Sequence, residues 1–561
     1  MGATDTVGRV AASMGLAGSA ELEFRPSADI PNAGVLLSLP ALLAVGLLRG
    51  TEQKFELPKG FYRLTSIFLL LAFMALARLK SIESLRYCAP GEWGKLLGLD
   101  RIPEVRTLRQ KVWALSCGDQ PTQWSAELCR DWMAAAPENA TAFYVDGHVR
   151  VYHGEKATLP HHYVARQKLC LRATVEYWVN AMDGQPFFFV HKDIDPKLIS
   201  VLERDIVPRL LLEVPNQPDA AELEGDKFLH RFTVIFDREG YSPDLLLRMK
   251  KLRVACLTYH KHPQEDWHLE EFMVQQVKLA SGEVVEMKLA ERGVCLTNKL
   301  WVREIRRLTQ SGHQTSILAT DFKTDMGRIA AAMFARWSQE NFFKYMRQNF
   351  ELDRLIEYDV EAIPDPKTPV VNPEYRKLDA QIRRAQGGLN RTLVQLASLK
   401  LPAQASTRES DAFAEKKAAL DEVILYLEDG IEKLKINRKQ TPKHIPLDQL
   451  PEGQRFTRLS TRAKHLVDTI KMVAYRAETA MAHVLREKLS RPDDARTLLR
   501  AIYNAEADLV PDQKNKTLTV RLHHLANHSL DDAVRHLCQE INSTETKFPD
   551  TDLRMVYELV S

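Results

Sequence analysis

Residues 336–346 read Arg336-Trp-Ser-Gln-Glu-Asn-Phe-Phe-Lys-Tyr-Met346. The stretch continues an alanine-rich helical pattern that opens at Ile329, and it sets one acid, Glu340, among Arg336, Lys344 and Arg347. Spacings of three and four place these four side chains on one helical face. The other face carries Phe334, Trp337, Phe342, Tyr345 and Met346, an apolar side suited to packing on a sheet. Alone, this is also the pattern of an ordinary amphipathic helix, with ion pairs worth tenths of a kcal/mol. Its weight changes because two acids upstream, Asp146 and Asp237, each follow a strand-like apolar run.

Those runs are Ala142-Phe-Tyr-Val-Asp-Gly-His-Val-Arg-Val-Tyr152 and Arg231-Phe-Thr-Val-Ile-Phe236. Between and after them, Leu169–Trp178 and Pro186–Val190 read as strands. A helix is expected to open at Asp195-Pro196, another spans Asp244–Leu252, and Val254–Tyr259 is a buried strand. The order is β-β-β-α-β-α-β, with acids at the first and fourth strands. From about 267 to 321 the texture changes to alternating segments, Phe272–Lys278, Val284–Leu289, Val302–Leu308 and Thr315–Ala319, a β insertion placed before the Glu340 helix.

Upstream, residues 1–30 are rich in Gly, Ala and Ser and are expected to form a flexible arm. Residues 31–138 read as a helical region. Its Leu64–Ala77 run is too short for the roughly twenty residues that cross a bilayer, so a buried helix is expected and no membrane partner. Helix, Pro103 turn and a second helix bearing Arg106, Arg109 and Lys111 have helix-turn-helix spacing, a pattern shared with any two packed helices. The core is bounded at 139–363. Pro364, Pro366, Pro369 and Pro373 mark a linker, and residues 364–440 continue into a helical hairpin of coiled-coil type, with Leu378, Ile382, Leu389 and Leu396 against Leu420, Ile424, Leu427, Ile431 and Leu434. Residues 441–561 form a C-terminal α/β region, with helix Leu459–Leu485, strand Thr517–Leu522 and a helix from Ser529.

The net charge is only +3, so a polyanion partner would need a local basic surface. Seven scattered cysteines without a CxxC pair argue against a disulfide framework or a zinc module and fit a reducing cytosol. His161-His162 and His260-Lys-His262 have no acid or cysteine at ligand spacing and read as solvated loop residues. Trp267 and Trp301 could stack on an unpaired base or simply pack. Lys250-Lys251, Arg306-Arg307 and Arg383-Arg384 could contact phosphate or face solvent.

Transfer or hydrolysis of a phosphodiester needs charge neutralisation on the attacking and leaving oxygens, which two divalent ions about 3.5–4 Å apart supply. Magnesium takes hard oxygen ligands and keeps its waters, so a few carboxylates suffice. An acid on each of two adjacent strands, and a third from a packed helix, can hold such a pair.

The three motifs, in this order, resemble the catalytic core of DDE-type insertion-sequence transposases, in the group with a β insertion before the last glutamate. That group's final helix is similar to Tyr-x2-Arg-x3-Glu-x6-Lys. Here Arg336 and Glu340 match; Met333 stands at the Tyr place and Arg347 at the Lys place. The resemblance covers about residues 90–350. It implies an α/β fold with an RNase H-like mixed-sheet core carrying a β insertion, flanked by N-terminal helical and C-terminal helical or coiled-coil regions. It implies Asp146, Asp237 and Glu340 as catalytic and metal-holding residues, two Mg2+ ions (replaceable by Mn2+), and DNA contacts from Arg336, Lys344 and Arg347, to which the helical region adds Arg106 and Arg109. The implied activity is cleavage at transposon ends and strand transfer. The implied partners are terminal inverted repeats and target DNA, bound by a homodimer in the bacterial cytoplasm or nucleoid. A nuclease of the same fold without strand transfer, and an inactive DNA-binding descendant, are the alternatives.

Overall fold

The computed structural model describes residues 5–16, 18–192, 194, 197–279, 282–334, 337–354, 356, 359–400 and 406–560. Arg336, Asp195-Pro196, Ser281 and residues 401–405 of the expected hairpin turn lie outside the described residues. Contact density divides the chain into two compact units: one holds 1–152, 162–359 and 459–561, the other 153–161 and 360–458.

In the larger unit, α1 (Leu64–Leu76) has every residue after Leu64 buried, as a helix apolar on nearly all sides must be. No described helix is long and apolar enough to cross a membrane. Helices α2 (Pro90–Lys95) and α3 (Val105–Leu115) follow. Residues 96–104 join them, a longer link than the three or four residues of a helix-turn-helix turn. The opening segment expected to be loose is docked instead. It carries helix Thr6–Ser13 and strand Ser27–Ile30. Arg9 pairs with Asp100, and Phe24 packs edge-on against Phe548 at 4.8 Å.

The centre is a ten-stranded mixed sheet. Its strands are β1 (Ala142–Val151), β2 (Leu169–Asn180), β3 (Pro186–Lys192), β4 (Phe232–Phe236), β5 (Val254–Tyr259), β6 (Met273–Lys278), β7 (Val284–Cys295), β8 (Trp301–Leu308) and β9 (Gln314–Ala319), with a short tenth at His161–Val164. The spatial order is β3-β2-β1-β4-β5-β9-β8-β7-β6. β3, β2 and β1 pair antiparallel; β1, β4 and β5 run parallel. β4 and β5 read as unbroken apolar runs because both faces are covered. The four insertion strands are not a separate module, since β9 hydrogen-bonds antiparallel to β5 and continues the same sheet.

The helical pattern opening at Ile329 is described over α4 (Met326–Phe334) and α5 (Trp337–Phe350), residues 335 and 336 lying outside the described residues. Downstream, α6 (Arg462–Arg486) runs through the larger unit with most of its length buried, packed on α1, Leu39–Val45 and Gln120–Ala135. The chain closes with a four-stranded sheet in which Ser27–Ile30 joins Ala507–Asp512, Thr517–Leu522 and Arg554–Leu559, covered by a helix at Asp531–Asn542. The smaller unit is built on two long helices, Pro373–Ser398 and Thr407–Gln440. Leu389, Ile424 and Ile431 form their shared core, and Arg438 reaches Asp379 at 2.7 Å, which fixes them antiparallel.

One buried ion group holds the insertion strands to β5. Arg306, named above as a phosphate contact, is almost fully buried and donates to Glu304 at 2.8 Å and to Gln314 at 3.1 Å. Trp267 is buried beneath it, 4.3 Å from the guanidinium, and is therefore a packing residue; Trp301 is exposed. Burial works to raise the Glu304 carboxyl, but hydrogen bonds from His260, Ser316 and Arg306 outweigh it and pull the group down to about 2. A carboxylate depressed on folding contributes stability above its ordinary value near 4.5 and loses it as pH falls toward 2. Glu304→Gln is therefore expected to lower the melting temperature clearly at pH 7, with the gap to wild type narrowing below about pH 4.5 and closing only toward pH 2. A gap independent of pH, in thermal melts across that range, would remove the charge from the account.

Candidate functional site

The parallel ladder between β1 and β4 runs Ala142↔Thr233, Phe143↔Val234, Tyr144↔Ile235 and Val145↔Phe236. Asp146 and Asp237 are the next residue on each strand, so the register sets the two acids at the same level where the strands separate. Side chains alternate along a strand, which places Asp146 on the face of Tyr144 and Asp237 on the face of Ile235. Tyr144 and Ile235 pack in one cluster with Ile329, Ala332 and Met333 of α4. The two acids thus share the face that α4 covers. Asp237 also caps a short turn, its carboxylate accepting from the Arg238 amide, while Thr258 donates to its carbonyl at 3.3 Å. The Asp146 carboxylate accepts from the Gly147 amide at 2.9 Å.

Glu340 sits in the first turn of α5, exposed. Its neighbours fasten that turn to the same sheet face. Gln339, buried, donates to the Tyr144 and Trp178 carbonyls, each at 3.3 Å, and to Asn180 Oδ1 at 2.9 Å. Ser338 donates to the Met182 carbonyl at 3.0 Å. One turn on, Phe343 stacks on His148 with ring centres 5.1 Å apart, and Phe342 packs against Trp178 at 5.4 Å. Asp146 lies between Tyr144 and His148 on β1 and opposite Trp178 on β2. The contacts that flank Glu340 on the helix therefore flank Asp146 on the strand. Gly184 makes the approach possible: at φ +89 it needs no side chain, and a Cβ there would meet the Ser338 carbonyl at 2.9 Å.

Of the expected cations, Lys344 is exposed, and Arg347 is half-buried with Nε donating to the Phe343 carbonyl at 3.2 Å. Arg106 and Arg109 stand on α3; Arg106 is exposed, and Arg109 pairs with Glu83 at 2.7 Å. Met333, in the motif's tyrosine place, is core, and the hydroxyl beside it comes from Tyr144, which donates to the Ala332 carbonyl at 2.5 Å.

A group that the spacing did not signal lies next to Asp146. His148 Nε2 meets Asp353 at 2.5 Å, and Arg166 donates to the other oxygen of Asp353 at 2.9 Å. Burial pushes the His148 imidazole down. At Asp353 burial works upward, but the His148 hydrogen bond and then Arg166 hold the carboxyl well below the usual range. Burial, and then the nearby Arg166 charge, lower Arg347. Arg347 thus lies near both the Arg166 guanidinium and the Asp353 carboxylate that Arg166 pairs with. The signal in the sequence is only the alternation of Asp146, His148 and Arg150 on one strand; Arg166 and Asp353 arrive from distant positions.

The three acids are hard oxygen donors suited to magnesium-class ions. They are not a tight cluster: among the described residues, the groups whose ligand atoms all lie within 4.8 Å are His524, His528 and Asp531, and Asp29, Asp508 and His523.

A family model described as "Transposase protein" matches residues 1–561. No curated protein matches. Among solved structures, the chain is similar to a cryo-EM structure of a piggyBac transposase synaptic complex with hairpin DNA, at 8% identity, with 86% of this chain and 83% of that chain covered and a TM-score of 0.29. That likeness is too distant to constrain this chain.

Gln339 is the fastening that the site depends on. Gln339→Ala leaves buried Asn180 and two carbonyls without their donor and is expected to cost about 1–3 kcal/mol in denaturant unfolding. An unchanged midpoint would mean that α5 is held by its other contacts, Ser338, Tyr345 and the aromatic face, without Gln339.

Proposed function

The chain belongs to a transposase family whose model spans it from end to end, and from that premise we propose that it cuts DNA at transposon ends and joins those ends to target DNA. The observation that carries this reading is the register of β1 and β4, which delivers Asp146 and Asp237 side by side on the face to which the Glu340 helix is fastened. The strand order β3-β2-β1-β4-β5, antiparallel and then parallel, resembles an RNase H-like core and supports a DDE-type assignment.

Asp146, Asp237 and Glu340 would hold divalent magnesium or manganese. When bound, the metal supplies charge neutralisation on the attacking and leaving oxygens of the phosphodiester. The protein's own share is positioning. β1 and β4 fix two carboxylates through a backbone ladder, and α5 fixes the third through Gln339 and Ser338. Arg347 and Arg166 place positive charge beside Asp146, where a strand of DNA would present its phosphates. Lys344, Arg336 and, further off, Arg106 and Arg109 extend that role. Terminal repeats and target DNA are the partners of this reading, and a homodimer on DNA is the assembly. The bacterial cytoplasm or nucleoid is the proposed location, where seven free cysteines stay reduced.

The test is cleavage of supercoiled DNA carrying the element's own ends, with Mg2+ or with EDTA, followed by a joining assay with a second plasmid. Wild type is expected to nick at the ends only with metal. Asp146→Asn and Asp237→Ala are expected to lose more than about a hundredfold of that rate while keeping end binding, the scale lost with one charge-stabilising group. Cleavage without joining would assign a nuclease. End binding without cutting in wild type would assign a binding protein.

A further inference from the structure

The segment after the central strand of the C-terminal sheet reads His523-His-Leu-Ala-Asn-His-Ser-Leu-Asp531. It leaves strand Thr517–Leu522, makes one short turn at His528–Leu530 and enters the helix Asp531–Asn542. That path folds His524 and His528 over the first residue of the helix. His524 Nδ1 lies 2.9 Å from Asp531 Oδ2, and His528 Nδ1 lies 3.3 Å from the same oxygen. The two imidazoles meet edge to face with centres 4.9 Å apart, and one ligand atom from each of the three residues falls within a 4.8 Å group.

We propose that His524, His528 and Asp531 form a transition-metal site of the zinc class. Three features point there. Zinc bound through nitrogen and carboxylate oxygen at about 2.0–2.2 Å sets neighbouring ligands about 3.3 Å apart, close to both measured separations. Two imidazoles and a carboxylate are the donor set of borderline metals rather than of magnesium, which takes oxygen. The acid is also of an unusual kind for a helix start. The Asp531 side chain is 9% exposed and its Oδ1 has no partner, whereas Asp532 beside it is almost fully exposed and pairs with Arg535. A carboxylate held out of water with one oxygen unsatisfied is costly, and a bound cation removes that cost.

Three protein ligands leave a fourth position open to water, so the site would bind reversibly rather than as a closed structural centre. Its place gives it a mechanical consequence. An ion there clamps the loop after strand Thr517–Leu522 to the helix that covers that sheet, and stabilises the region by linkage. The neighbouring group of His523, Asp508 and Asp29 belongs to the other side of the strand and ties the opening segment to the sheet; it supplies one imidazole only.

The experiment is calorimetric titration of the full chain with ZnCl2 in excess Mg2+, paired with thermal melts. Wild type is expected to take up one zinc per chain and to melt higher with it. His528→Ala, at a 70% exposed side chain whose loss spares the fold, is expected to weaken binding at least about tenfold and to abolish the melting shift. His524→Ala is expected to behave alike, and His523→Ala and Asp146→Asn to bind as wild type does. Zinc uptake lost in Asp146→Asn, or unchanged in His528→Ala, would overturn the assignment. So would no uptake by wild type, which leaves a hydrogen-bonded helix cap only.

Discussion

The carboxylate of Glu478 is fully buried on α6, and three distant parts of the chain meet at it. Arg78, just past α1, donates at 2.8 Å; the Tyr345 hydroxyl of α5 donates to the second oxygen; Arg496 approaches that oxygen at 3.4 Å. A charge taken out of water is tolerated only when it is paired and its remaining lone pairs are filled. Burial, and then the Glu478 charge, push the Tyr345 phenol far up, so it stays a donor at all ordinary pH. The consequence is structural. The N-terminal helices, the Glu340 helix and the C-terminal region cannot separate without stranding a buried charge, which is why they form one compact unit despite lying hundreds of residues apart.

From that anchor the geometry propagates forward. Tyr345 ties α5 from behind through Glu478 and, with Phe342, through Tyr475, while Gln339 and Ser338 tie its first turn to the sheet. A helix held at both its first turn and its middle has little freedom to slide, so Glu340 inherits a fixed place. The strand acids need no such device. A parallel ladder permits no slip without moving every side chain of β4 to the wrong face.

What the sequence made legible was local and periodic. Alternation over Ala142–Val151 and the apolar run at Phe232–Phe236 gave the strands, and the acid that follows the apolar residues of each was visible as such. What stayed hidden depended on long-range pairing. Arg306 looks like a surface cation until Glu304 and Gln314 are seen to enclose it. Residues 1–30 have the composition of an arm, and partners far along the chain, among them Asp100, Asp508 and Phe548, dock its described part. Arg166 and Asp353 join the site through contacts that no spacing encodes.

The same logic explains the charged residues of α6. Lys464, Asp468 and Lys471 are buried, and across from them Arg150 and Glu176 form a pair in which both side chains are 1% exposed. Counted formally, these five groups carry one surplus positive charge, which a low-dielectric interior disfavours. Burial, and then the Arg150 charge, drive Lys464 well below its ordinary value, against the pull of Asp468. The Arg150–Glu176 pair ties β1 to β2, Lys464 and Lys471 both pair with Asp468 along α6, and the two groups act on each other through charge across the interior. The strand that carries Asp146 at one level carries Arg150 two positions beyond His148, so the rigidity of the buried network is transmitted along β1 to the acid itself.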